Sequence, residues 1–289
     1  MGKGGIVTRY VIQSEELAAA ADTHGAELQS VSYRGEEYLW QGDANYWAAK
    51  SPLLFPICGR LKGGQYKHGG NTYKLGCHGF AQHTDFLPKR TYRDELLFRD
   101  SGPHPQYPFP YRLEVGYGVK NGNTLTATAT VTNPVWDALP CSLGFHPGFW
   151  YKEGDFLRFD TLENAHALRI NKDGLMEGGS DPEVFLNGTD VLLTPEYFMT
   201  NHILEGIQSE AVTLMRGETA VWRFAFRSPF RVLGIWSVPN APFVCIEPWI
   251  GLPDPASGVS GFYAKPGLVH LAERQTLTLK WELTVYRRL

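Results

Sequence analysis

Apolar residues recur at every second position along much of this chain, and that spacing limits what it can build. From Thr276 to Tyr286 each odd position (Leu277, Leu279, Trp281, Leu283, Val285) is apolar and most even ones are polar. Successive side chains on a strand point to opposite faces. Such a segment therefore suits an antiparallel sheet with one buried and one wet face. Leu113, Val115, Tyr117 and Val119 alternate in the same way, as do Leu125, Ala127, Ala129 and Val131 against Thr126, Thr128 and Thr130. Asn121-Gly122 lies between these two runs and predicts a hairpin, because both residue types accept a positive φ. A second hairpin is expected at Arg34-Gly35, between 30–33 and 36–40. A third is expected at Arg216-Gly217, joining 211–214 to 221–226.

Helical periodicity is nearly absent. Ser14 to Ala21 could carry a single helical turn, but its alanines show no amphipathic face. The 31 glycines and 19 prolines are spread along the chain as punctuation and mark no linker. The expected fold is all-β: one large antiparallel β-sandwich, with residues 1–289 as a single domain.

At 289 residues, 43% of them hydrophobic and 20% charged, the chain is neither disordered nor fibrous. Its formal net charge of −3 leaves no surplus cations to displace counterions, so no nucleic-acid partner is expected. No apolar run is long enough to span a bilayer, so no membrane partner is expected either. The start, Met1 to Val7, lacks an apolar stretch followed by small residues, so no secretory signal is expected. Cys58, Cys77, Cys141 and Cys245 are far apart and form no CxxC pair. Reduced thiols and a cytoplasmic location are the expectation. The chain has no GxSxG, HExxH, P-loop or dinucleotide fingerprint. His78 and His83, five apart on a strand, would face opposite ways, so no metal site is expected there.

Three segments break the alternation and gather unusual residues. In the first, Arg60 follows Gly59 at the end of the apolar run 51–58, and His78 precedes Gly79. Small neighbours would let a ligand approach closely. A surface ion pair for Arg60 and a core histidine bonded to a carbonyl are the plainer readings. In the second, Ser142 to Trp150, His146 sits between aromatics and Pro147. Partial burial there would hold its pKa near neutrality, as proton transfer requires, although a structural histidine in a turn would look the same. In the third, Phe243 to Asp254, Glu247 ends an apolar run where an unpaired carboxylate would cost several kcal/mol. It is therefore paired with a cation or faces a site. Trp249 could offer a flat face to a sugar ring, or simply pack.

At these segments the chain resembles the aldose 1-epimerase (galactose mutarotase) family, in its LacX-like subgroup. The matching strings are Phe55-Pro56-Ile57-Cys58-Gly59-Arg60-Leu61, His78-Gly79-Phe80-Ala81, Gly144-Phe145-His146-Pro147-Gly148-Phe149 and Ile246-Glu247-Pro248-Trp249-Ile250-Gly251 with Asp254. Their order and spacing match too, and the likeness runs from about Ala26 to near the C-terminus. The resemblance implies a supersandwich of antiparallel sheets. It also implies interconversion of the α and β anomers of a free aldose, with no cofactor. By position, Glu247 corresponds to the general base, His146 to the general acid, His78 to a second histidine that binds substrate, and Arg60 to a substrate-binding arginine. Trp249 is the expected stacking residue, and Asp254 is taken as a further substrate contact. An ionised Glu247 beside a charged His146 is the expected resting state. The implied partner is a monosaccharide or sugar phosphate, bound by a monomer or homodimer.

One departure stands out. Where the family often carries an aspartate that holds sugar hydroxyls, this chain has Asn201. An amide can donate and accept but carries no charge. His202 would point to the opposite face if the segment is a strand. Two other readings follow. Asn201 and the aromatics suit a protein that binds sugar without catalysis. Glu247 and Asp254 could be the paired carboxylates of a glycoside hydrolase, which need to stand about 5–10 Å apart.

Overall fold

The computed structural model describes residues 7–183, 185–226, 229–230, 232–258 and 261–286. Among these, strands dominate. The helical content is four 3₁₀ segments of three residues each, and no helix is long and apolar enough to cross a membrane. The alternating runs occupy the middle of a nine-stranded antiparallel sheet, where Thr276–Val285, Thr124–Thr132 and Arg112–Lys120 lie side by side. Leu113, Val115, Leu125, Ala127, Ala129 and Val131 are fully buried, and the threonines between them are partly exposed.

Register explains why small and large residues alternate in this face. Ala127 lies opposite Tyr117 on one neighbouring strand and Trp281 on the other. Two large rings thus share the space over one methyl group, which suits close packing of the face. The opposite face is polar and carries cross-strand hydroxyl pairs, Thr130–Thr278 at 3.0 Å and Thr124–Thr284 at 3.1 Å.

An eight-stranded antiparallel sheet faces this one. Its middle is Val232–Trp236, Phe243–Ile250 and Leu143–Phe145, with Gly148–Trp150 also paired to Phe243–Ile250. Aromatic contacts tie the two sheets together. Trp281 meets Phe145 edge-on at 5.9 Å, and Trp222 meets Phe149 at 5.2 Å. A four-stranded sheet, Arg9–Gln13, Leu17–Asp22, Leu28–Tyr33 and Glu36–Glu37, adds its own apolar face to the same core.

Two hairpins form where the sequence placed them. Asn121 and Gly122 take φ of 53° and 76°, in a three-residue loop that ends at Asn123. Arg34 and Gly35 take 52° and 83° between the paired Tyr33 and Glu36. The third turn is displaced by one residue. Arg216 pairs with Thr219 across Gly217-Glu218, because a bulge between Leu214 and Met215 shifts the register. Ser14 to Ala21 forms no helical turn. Ser14 closes the turn before the strand Leu17–Asp22, and the alanines lie beneath the large sheet, where Ala19 and Ala21 are almost fully buried. Their missing amphipathic face reflects burial between layers.

Trp281→Ala should lower stability by about 3–5 kcal/mol, the usual cost of removing a large buried aromatic. Urea denaturation measures this directly. An unchanged midpoint would mean that the contact between the sheets does not depend on that ring.

Candidate active site

Every residue of the strand Phe243–Ile250 is buried, because both of its faces are covered. Val244, Ile246 and Ile250 enter the core between the sheets. The alternate residues, Cys245, Glu247 and Trp249, turn the other way. On that side lies a cavity of about 400 Å³, and Glu247 and Trp249 line it. This volume falls within the range of small-molecule sites. Glycines on the neighbouring strands make the room. Gly234 is paired with Glu247, and a methyl group there would stand 3.0 Å from the Glu247 Cβ and 3.2 Å from its Cδ. Gly144 is paired with Trp249, and a methyl group there would stand 2.9 Å from the indole Cδ1.

His146 reaches the same cavity through a break in a strand. Leu143–Phe145 and Gly148–Trp150 both pair with Phe243–Ile250, and His146-Pro147 interrupts them. Proline cannot donate to a ladder, so pairing lapses there. Phe145 and Phe149 anchor the two sides of the break in the core. His146 Nε2 comes to 3.2 Å from Glu247 Oε2. Its ring is stacked against Trp47 at 4.9 Å and met edge-on by Trp236 and His78, each at 5.6 Å.

Three polar atoms at this point are buried without a hydrogen-bond partner: His146 Nδ1, Glu247 Oε2 and Trp249 Nε1. Burial acts strongly on both titratable groups. It holds the Glu247 carboxyl well above the ordinary carboxylate range. It pushes His146 well below the ordinary histidine value, and the neighbouring His78 adds to the effect. The expected resting state, an ionised Glu247 and a charged His146, is therefore reversed. Burial favours the neutral forms, and the Trp249 indole, which favours the charged carboxylate, offsets this only in part.

His78 stands in a clasp between two segments. Its backbone takes a φ of 64°, its N–H donates to the Gly59 carbonyl, and its own carbonyl accepts from Phe55. The Gly59 N–H donates to His78 Nδ1 at 3.1 Å. That bond makes Nδ1 an acceptor, so in the neutral ring the proton sits on Nε2. Burial, Arg60 and Lys265 push the His78 pKa down to about 4, so the ring is neutral at physiological pH. The glycines beside Arg60 and His78 serve the clasp and not a ligand. A Cβ on Gly79 would lie 2.2 Å from the Phe55 oxygen, and one on Gly59 would lie 2.6 Å from Pro253.

The aldose 1-epimerase family model matches residues 8–204. The chain belongs to the aldose 1-epimerase family. It is 26% identical to the chromosomal LacX protein of Lactococcus lactis subsp. lactis, over 95% of this chain and 98% of that one. Among solved structures it is similar to a galactose mutarotase-like protein from Lactobacillus casei ATCC 334. The identity is 27%, the TM-score is 0.89, and 96% of this chain and 100% of that one are covered. A galactose mutarotase related enzyme from Lactobacillus acidophilus aligns with a TM-score of 0.88 and 26% identity, over 97% of this chain and 98% of that one.

In this member of the aldose 1-epimerase family, six of the seven singled-out residues line one cavity: Arg60, His78, His146, Asn201, Glu247 and Trp249. Arg60 lies along Gly174, and no described carboxylate pairs with its guanidinium. Asp254 does not line the cavity. One of its oxygens takes Lys265 Nζ at 3.0 Å, the other takes the Lys62 N–H at 2.9 Å, and its own N–H donates to the Arg60 carbonyl. It fixes the segment that carries Arg60 and is not a free substrate contact. Lys62 reaches the Gly258 carbonyl instead of the cavity.

Asn201 and His202 both line the cavity, against the expectation of opposite faces. Asn201 precedes the strand His202–Glu205, so alternation does not reach it. Neither His202 nitrogen is free. Nε2 lies 2.7 Å from the Tyr197 carbonyl, Nδ1 lies 2.8 Å from a Glu183 carboxyl oxygen, and the ring stacks on Tyr197 at 3.7 Å. Trp47, Trp236 and Gln82 also line the cavity and were not foreseen. Trp236 ends a strand opposite Cys245, and that pairing could have signalled it. Trp47 and Gln82 reach the cavity from outside the strands, and no local pattern marks them.

Gly234→Ala should displace the Glu247 carboxylate while leaving the strand pairing in place. Misplacing a reacting group by about 1 Å can cost roughly 100-fold in rate. Sugar turnover in that variant, measured beside its thermal unfolding, tests this. Full turnover would show that the carboxylate can move without consequence.

Proposed function

We propose that this protein interconverts the α and β anomers of a free hexose or hexose derivative, with Glu247 and His146 as the acid–base pair. The observation that carries the reading is the convergence of three buried, unpartnered polar atoms on one cavity. Buried polar groups are nearly always bonded, so such a group calls for a missing partner. A sugar, dense in hydroxyls, supplies donors and acceptors together.

The proposed chemistry follows from the contact between the two side chains. The Glu247 carboxylate takes the proton of the C1 hydroxyl while the His146 imidazolium gives one to the ring oxygen. The C1–O5 bond breaks and C1 becomes an aldehyde. The C1–C2 bond rotates, and the reverse transfers close the ring on the other face. After ring opening both groups are neutral, and the dry cavity favours that state. Burial thus works toward the open-chain intermediate. Bound hydroxyls offset the cost of the charged pair before the step. His78, with its Nε2–H fixed, donates to a sugar oxygen. Arg60 and Asn201 bind hydroxyls or an anionic substituent, and Trp249 offers its ring. The chemistry requires no cofactor, because the carbonyl forms within the substrate.

The hydrolase reading loses its second carboxylate, since the Asp254 side chain is engaged by Lys265 and the Lys62 N–H. Among the described residues, Glu247 is the one carboxylate that lines the cavity.

Anomer exchange is followed by NMR on freshly dissolved α-glucose, α-galactose and glucose 6-phosphate. The wild type should accelerate at least one of them, and Glu247→Gln should lose about 10²–10⁴-fold, the usual range for one acid–base group. A sugar that binds without acceleration would leave a binding protein instead.

The pH profile is a second test. Adding a second proton to the pair charges a buried histidine, and removing the shared proton leaves a buried carboxylate. Burial resists both, so the one-proton state spans neutral pH. The rate above buffer should stay level through about pH 6.5, where an independent histidine would lose its proton. A fall centred there would mean that the two groups titrate separately.

A further inference from the structure

Beneath the sugar cavity lies a third potential ligand that anomer exchange does not use. The Cys245 thiol is fully buried and shares the face of its strand with Glu247, two residues along. One ligand atom from each of Cys245, His146 and Glu247 falls within 4.8 Å of the other two. We propose that these three side chains form a binding site for a thiophilic divalent cation such as Zn²⁺, and that the cation closes the sugar site by occupying its acid–base pair. The closure rests on the function proposed above, whereas the binding does not.

The donor set suits such an ion. Zinc takes thiolate, imidazole and carboxylate at about 2.0–2.3 Å, which puts neighbouring ligand atoms of a tetrahedron roughly 3.3–3.8 Å apart. His146 Nε2 and Glu247 Oε2, at 3.2 Å, already stand close to that separation. The sulfur, within 4.8 Å of the other two ligand atoms, needs to close a gap of about 1.5 Å at most to complete three corners. His146 and Glu247 line the cavity, which offers an entry path, and water would take the fourth position. The Glu247 side chain is 3% exposed, and its Oε2 already faces the imidazole that would share the ion.

Charge balance supports the same ion class. A neutral imidazole contributes a lone pair, while the thiol and the carboxylic acid each release a proton to water. A divalent cation with one thiolate and one carboxylate is then neutral overall. The usual penalty for burying a charge is thereby avoided. A hard ion such as Mg²⁺ prefers an oxygen octahedron and finds none here.

Co²⁺ reports thiolate ligation through a charge-transfer band in the near ultraviolet. Titrating the full chain with Co²⁺ should give a saturable band that Zn²⁺ displaces and Mg²⁺ does not. Cys77 also lines the cavity and is the competing thiol. Cys77→Ala should therefore keep the band, whereas Cys245→Ala and the closer match in size, Cys245→Ser, should lose it. Cys245→Ala should retain wild-type anomer exchange and resist Zn²⁺, while the wild type should be inhibited by Zn²⁺ and restored by a chelator. No band in the wild type, or a band that persists without Cys245, overturns the site. A chain without anomer exchange still answers through the band, so the two proposals fail separately.

Discussion

The site depends on one constraint: a carboxyl group and an imidazole meet at 3.2 Å in a place where both side chains are almost fully buried. Ordinary surface groups of these types would both be charged near pH 5.5 and would form an ion pair in water. Here desolvation outweighs their attraction, and the neutral pair is preferred. Three tryptophans, Trp47, Trp236 and Trp249, line the cavity around them. A sugar entering this space replaces lost hydration with fixed hydroxyls. The electrostatics of the empty and the filled cavity therefore differ, and that difference is what proton transfer needs.

The backbone devices that create this meeting are local. A central strand covered on both faces would normally bury only apolar residues, as Val244, Ile246 and Ile250 do. Its other face accommodates Glu247 and Trp249 because the residues paired with them are glycines, Gly234 and Gly144. The imidazole arrives from the opposite side, where His146-Pro147 breaks a strand between two core-anchored phenylalanines. The core thus fixes Glu247 and His146 against each other through the strands that hold the sheets together. His78 is fixed differently, by a clasp in which the Gly59 N–H selects its tautomer. Asp254, Lys265 and the Lys62 N–H lie under that clasp and set the path of the segment that ends in Arg60.

The fold was legible because period-two alternation is dictated by geometry. Leu277 to Val285 could bury one face only as a strand, and Asn121-Gly122 could only turn. The site residues were legible where they violated that pattern, as Glu247 did at the end of an apolar run. What stayed hidden depended on distance in space. Trp47 belongs to a loop with no periodicity, and nothing local says that its ring will lie on His146. The protonation states were misjudged for the same reason. A pKa follows from the whole shell around a group, and the sequence near Glu247 does not reveal how completely that shell buries it. Asp254 misled because a carboxylate near a site is equally suited to fixing a backbone, and its lysine partner is eleven residues further on.

The wall formed by Asn201 and His202 bears on which sugars fit. Both His202 nitrogens are engaged, one by Glu183 and one by the Tyr197 carbonyl, so the ring offers a substrate only its flat surface. Asn201 brings an amide where the family resemblance leads one to expect a carboxylate. The only described carboxylate facing the cavity is then Glu247, which burial holds well above the ordinary carboxylate range, while Arg60 brings a guanidinium with no described carboxylate partner. A cavity with one free cation and no competing anion does not repel a negative substituent on the sugar. An aspartate at position 201 would, and it would also bind neutral hydroxyls more strongly through charge-assisted bonds. Exchanging carboxylate for amide at this one position therefore weakens the case for a plain hexose and strengthens it for a charged derivative.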